Sequence, residues 1–119
     1  MRLYHGGPAG LSAGRFILPA NETKVYSCSD AGVDNNPHRR DRIYLTPDPR
    51  AAEMFAAMAP SLAVRIYAVE AVGDLEPDPD CFERGLSFQG IKAEILKEKR
   101  VPKARRKKIL RALGMQPTF

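Results

Sequence analysis

Three short pieces of this chain set polar groups at the ends of apolar runs: Leu3-Tyr4-His5-Gly6-Gly7, Ile43-Tyr44-Leu45-Thr46 and Glu76-Pro77-Asp78-Pro79-Asp80. His5 beside two glycines offers one ligand an imidazole and a bare backbone, because glycine lets a guest approach main-chain N–H and C=O without a side chain in the way. A carboxamide matches that backbone pair, and a hydroxyl matches the ring. Tyr44 brings a flat ring able to stack on a cationic aromatic ring. Asp78 brings a carboxylate that can face a developing cation or take a proton from an attacking hydroxyl. Each also has a plain structural alternative. His5 can cap a turn, Tyr44 can be a half-buried strand aromatic, and Asp78 can shape the turn between two prolines, with Asp80 competing for its role.

Taken in order with their flanks, these pieces resemble the rifamycin (rifampin) ADP-ribosyltransferases, small bacterial enzymes that inactivate an antibiotic using NAD. The likeness runs through Leu3-Tyr4-His5-Gly6, the stretch from Leu11 to Pro19 with its Gly14 and Ile17, and Ile43-Tyr44-Leu45-Thr46 with an Ala-rich helix after it. It continues through Ile66-Tyr67-Ala68-Val69-Glu70, Gly73, Glu76-Pro77-Asp78-Pro79 and Ser87-Phe88-Gln89. The resemblance implies an α+β fold in which two small β-sheets, flanked by short helices, form an NAD cleft. It also implies His5, Tyr44 and Asp78 as catalytic residues, and Gly6, Gly7, Ser87 and Gln89, with His5 and Tyr44, around the co-substrate. Ser87 can equally cap a turn. The chain departs from the family at Gly7, where a hydroxyl residue is usual, and at Gln89, where Arg is common. The connection containing Asp34-Asn35-Asn36-Pro37-His38-Arg39-Arg40-Asp41-Arg42 is also longer and more charged.

The chemistry implied is transfer of ADP-ribose from NAD to a hydroxyl acceptor, such as a rifamycin-type antibiotic, with release of nicotinamide. The nicotinamide–ribose bond joins a cationic leaving group to a sugar carbon, so orientation and charge stabilisation matter more than a strong nucleophile. Two alternatives stand beside this reading: a toxin or effector that modifies nucleic acid or protein, and a non-catalytic NAD-binding module. No phosphate loop, nucleophile elbow or metal-ligand spacing occurs, so no metal is expected, and the pyrophosphate falls to loop amides or to Arg2 and Arg15.

At 119 residues the chain fits one domain, residues 1–119, large enough to remove roughly two-thirds of its unfolded surface from water. Its apolar stretches are broken by Arg, Glu or Pro well short of the about 18 residues of a membrane span, and its N-terminus lacks the pattern of a signal peptide. A soluble cytoplasmic monomer without membrane contact is expected. Cys28 and Cys81 are too few and too isolated for a zinc site or a disulfide scaffold, and read as free thiols in a reducing compartment. Residues 97 to 111 carry nine Lys or Arg against Glu98 alone, whereas the rest of the chain has ten against thirteen Asp or Glu. This basic segment, extended to 97–113 as a helical unit, is either a solvated helix face with Ile109, Leu110 and Leu113 docked on the core, or a surface for a polyanion.

The elements that must position these residues follow from local pattern. Arg2 to His5 reads as a strand ended by a Gly6-Gly7-Pro8 turn. Leu11 to Leu18 suits a short strand or irregular segment, and Asn21 to Arg42 a long surface loop. Arg42 to Leu45 reads as a strand, followed by Thr46 as N-cap and Pro47 in the first helical position. The helix from Asp48 to Met58 is expected to bury Ala51, Met54, Phe55 and Met58 and to stop at Pro60. Within Leu62 to Val72, alternation puts Val64, Ile66 and Ala68 on one face and Arg65, Tyr67 and Val69 on the other. Phe88 to Ile95 reads as a strand interrupted at Gly90, and Pro102 to Leu113 as a helix terminated by Gly114.

Overall fold

A computed structural model describes residues 2–10, 15–18, 43–78 and 86–117. Four antiparallel strands form a large sheet in the order β1-β4-β7-β2: β1 is Leu3–Pro8, β2 Phe16–Ile17, β4 Val64–Ala71 and β7 Ala93–Arg100. Three more form a small sheet in the order β3-β6-β5: β3 is Ile43–Leu45, β5 Glu76–Pro77 and β6 Phe88–Gly90. Helix α1 spans Pro49–Met58 and helix α2 spans Lys103–Ala112. The expected α+β architecture with two small sheets is present. The loop from Asn21 to Arg42, the segment from Leu11 to Gly14, and Cys28, Pro79, Asp80 and Cys81 lie outside the described residues.

Alternation decides the layers. On β4, Tyr67 and Val69 share a face, as the alternation predicts, and form with Leu3, Leu45 and Ile95 the core between the sheets. Val64 and Ile66 face the other way and pack with Val101 against Ala52 and Ala56 of α1. Helix α1 therefore buries Ala52, Ala56 and Ala57, whereas Met54 is exposed. Of the expected Ala51-Met54-Phe55-Met58 face, Ala51, Phe55 and Met58 are half-buried and Met54 is not buried, because of a close approach to β1. A Cβ at Gly6 would lie 1.9 Å from the Ala52 carbonyl oxygen and 2.6 Å from the Ala56 nitrogen. Helix and strand backbones touch there, which only small residues permit.

Pairing with β4 explains why Gly6-Gly7-Pro8 is not a turn. β1 continues through Pro8, with Gly6 opposite Ile66, Gly7 opposite Arg65 and Pro8 opposite Val64, so His5 sits mid-strand rather than at a strand end. Two further boundaries differ. Asp48, not Thr46, caps α1: its side chain accepts from the Arg50 N–H at 2.9 Å, and Pro49 takes the first turn. Thr46 Oγ1 instead accepts from the Asp48 N–H at 3.1 Å, one step upstream. The run from Phe88 to Ile95 divides at Gly90 into β6 and β7, which belong to different sheets.

The basic segment is divided as well. Residues 97 to 100 belong to β7, and only Lys103–Ala112 is helical. Gly114, at φ 75°, ends α2 in the left-handed conformation expected of it. Ile109 and Leu110 are buried against Ala57, while Leu113 is exposed. Arg106, expected in solvent, is buried. Its guanidinium donates to the carbonyls of Ala57 (3.0 Å), Ala59 (2.7 Å), Ser61 (2.7 Å) and Leu62 (3.2 Å), satisfying acceptors left open where α1 ends.

Candidate active site at the fork between the sheets

The two sheets are stitched at one point, beyond which they part. Tyr4 N–H donates to the Thr46 carbonyl at 2.7 Å and Thr46 N–H to the Tyr4 carbonyl at 3.0 Å. Both backbone groups of Tyr4 therefore face the β3 side of β1. Strand alternation brings the N–H and C=O of Gly6, two residues on, to that same edge. There β3 has left to pair with β6. A fork opens between Gly6 and Tyr44, with its backbone edge formed by the glycine.

His5 spans the fork. Its Nδ1 lies 3.1 Å from the Tyr44 carbonyl oxygen, and since a carbonyl only accepts, the proton is on Nδ1 and Nε2 carries a lone pair. Burial holds the His5 pKa below its ordinary value, outweighing the bond to Tyr44. The ring is neutral at neutral pH, with Nε2 an acceptor. Gly7 guards that atom by lacking a side chain, for a Cβ there would stand 3.1 Å from Nε2. The Tyr67 ring lies 6.4 Å from the imidazole, centroid to centroid, and its hydroxyl donates to the Pro8 carbonyl, fixing the strand beyond the glycines.

The small sheet aligns the remaining candidates in register. Tyr44 is opposite Gln89, and Gln89 is opposite Glu76, so one row crosses all three strands. Gln89 Nε2 donates to Glu76 Oε2 at 2.9 Å. One step along, Ser87 Oγ donates to Asp78 Oδ2 at 2.9 Å, and Asp78 N–H donates to the Ser87 carbonyl at 3.0 Å. Alternation thus puts Tyr44, Gln89, Ser87, Glu76 and Asp78 on one face, opposite to that of Leu45 and Phe88, which join the core. Gln89 is 5% exposed, and its Oε1 has no hydrogen-bond partner among the described residues. An unpartnered acceptor at that depth is costly unless a ligand completes it.

The structure brings His5 to the main-chain carbonyl of Tyr44, and sets Tyr44 in one register row with Gln89 and Glu76, with Asp78 on the same face. Between the competing carboxylates, Asp78 is the one oriented by Ser87; Asp80 lies outside the described residues. Glu76 was not singled out in the sequence, although its spacing of two from Asp78 on an extended segment signals a shared face. Arg2, offered for the pyrophosphate, lines a basin on the α1 side of the large sheet instead. Arg15 is exposed, just before β2.

Scanned against protein-family models the chain matches none, and a search of curated proteins finds no match.

Proposed function

We propose that this protein is an NAD-dependent mono-ADP-ribosyltransferase that moves ADP-ribose to a hydroxyl acceptor and releases nicotinamide. The observation that carries the reading is the fork, where the neutral His5 ring is bonded through Nδ1 to the Tyr44 carbonyl and Nε2 lies 3.1 Å from where a side chain on Gly7 would stand. These groups suit NAD in chemical type. The Gly6 N–H and C=O match the acceptor and donor of a carboxamide, and Nε2 accepts from a ribose hydroxyl. The Tyr44 ring stacks on nicotinamide.

NAD supplies a ribose carbon already bonded to a cationic leaving group. That bond breaks with its electron pair kept by the nicotinamide nitrogen, and a bond from the same carbon to the acceptor oxygen forms. The acceptor's proton passes to the Asp78 carboxylate, which also faces the positive charge growing on the ribose. Ser87 holds this carboxylate in one orientation through its 2.9 Å hydrogen bond. A rifamycin-type antibiotic is the acceptor that the sequence resemblance favours.

The test incubates purified protein with isotopically labelled NAD and a rifamycin, followed by mass spectrometry. An adduct carrying ADP-ribose, together with free nicotinamide, is the expected result. An adduct on RNA, DNA or lysate protein instead would keep the transferase and replace the acceptor. Absence of both NAD binding and NAD turnover with every acceptor, in protein shown to be folded by circular dichroism, would overturn the reading.

A further inference from the structure

On the side of the large sheet opposite the inter-sheet core lies a second concavity, a basin of about 460 Å³. Tyr4, Ile66 and Ala68 line it, with the first turn of α1 at one side. Arg2, Arg50, Lys97, Lys99 and Arg105 surround it, against Glu53 and Glu98. Glu53 is taken up by Arg105 at 2.8 Å. The other four cations form no ion pair among the described residues.

Lys97 and Lys99 are on this side because of a defect in the sheet. β7 follows β4 with Ile95 opposite Val69, but Lys97 opposite Ala68, so Leu96 is an extra residue in the ladder. Regular alternation from Ile95, which faces the inter-sheet core, would send both lysines toward that core. The bulge reverses the phase and turns them to the α1 side, along with Val101. Bulges of this kind re-aim side chains and are common beside functional sites. The lysines stand one strand repeat apart, about 7 Å, a span comparable to that between successive phosphates of an extended nucleic-acid strand.

We infer that this basin binds single-stranded nucleic acid, with Lys97 and Lys99 on two successive phosphates, Arg2 and Arg50 adding positive charge around them, and a base stacked on Tyr4. An aromatic ring among cations is the pattern of single-strand binding, because unpaired bases have free faces and paired ones do not. The volume is that of a small-ligand site and takes one or two nucleotides. The inference is independent of the proposed transferase activity, since none of His5, Gly6, Tyr44 and Asp78 lines the basin.

The experiment titrates the full chain against a fluorescein-labelled single-stranded RNA of twelve uridines, read by anisotropy at several salt concentrations. Saturable binding is expected to weaken with salt. The double variant K97Q/K99Q should lose about tenfold in affinity, and its log–log salt slope should fall by roughly 0.7 for each phosphate no longer neutralised. Y4L should weaken binding without changing the slope. K107Q/K108Q removes the same charge from α2 outside the basin and should bind nearly as wild type. Equal losses in K97Q/K99Q and K107Q/K108Q would show diffuse attraction and overturn the site. So would absence of saturable binding, or equal affinity for a duplex of the same length.

Discussion

Asp78 and Glu76 are two carboxylates on one short stretch of chain, and the side chains opposite distinguish them. Ser87 fixes Asp78 through a hydroxyl, whereas Gln89 holds Glu76 and leaves its own Oε1 open. If Asp78 acts on charge and proton in the transition state, Asp78→Asn should lower turnover by roughly 10²- to 10⁴-fold while NAD affinity changes only a few-fold. Tyr44→Leu should do the reverse and weaken NAD binding. Nicotinamide release under single-turnover conditions, set beside calorimetric NAD binding, separates the two effects. Wild-type turnover in Asp78→Asn would place the carboxylate elsewhere. The candidacy of His5, Tyr44 and Asp78 was legible because their types announce chemistry. The Tyr44–Gln89–Glu76 row was not, because register between strands far apart in sequence is fixed by the whole sheet rather than by any local pattern.

At the scale of elements, adjacent glycines do different work, and paired substitutions separate them. Gly6→Ala drives a methyl into the backbone of α1, so helix and strand must move apart, at a cost of about 3 kcal/mol. Gly7→Ala meets only the edge of the His5 ring at 3.1 Å. It should change stability by less than about 1 kcal/mol, yet raise KM for NAD by crowding Nε2. Urea denaturation and steady-state kinetics on both variants check this contrast, which fails if the two lose stability alike. Arg106 is the corresponding feature of α2. Arg106→Met strips donors from four carbonyls at the end of α1 and should cost about 3 kcal/mol in the same denaturation experiment. Arg106→Lys should recover only part, since one ammonium cannot reproduce the planar fork. Neither role could be read from the sequence. The α1 pattern favours its larger apolar side chains, and the helix rotates instead to put alanines where Gly6 demands a thin contact. Arg106 lies in a run of cations whose ordinary place is water.

Across the whole molecule, the two faces of β4 were legible from alternation and the two sheets were implied by the family resemblance, but the point where the sheets part was not legible. Gly6-Gly7-Pro8 reads locally as a turn, and only pairing with β4 makes it a strand. The fork is held by one titratable ring, which ties the integrity of the fold to pH. In the unfolded chain His5 takes up a proton near its ordinary value of about 6.5, whereas burial keeps the folded pKa lower. Below about pH 6.5 the unfolded state therefore binds more protons than the native state, and stability rises with pH across that window. The contribution is complete above the unfolded pKa and is lost as pH falls toward the folded one. His5→Gln keeps an N–H able to donate to the Tyr44 carbonyl but does not titrate. The stability of wild type minus that of His5→Gln, measured by urea denaturation at stepped pH, should be level above about pH 7.5 and fall below about pH 6.5, by up to about 1.4 kcal/mol per pH unit. His38 is present in both proteins and cancels in the difference. A difference that stays level through acid would mean that the His5 ring is not buried neutral at the fork, and its Nε2 would then lose its standing as an acceptor.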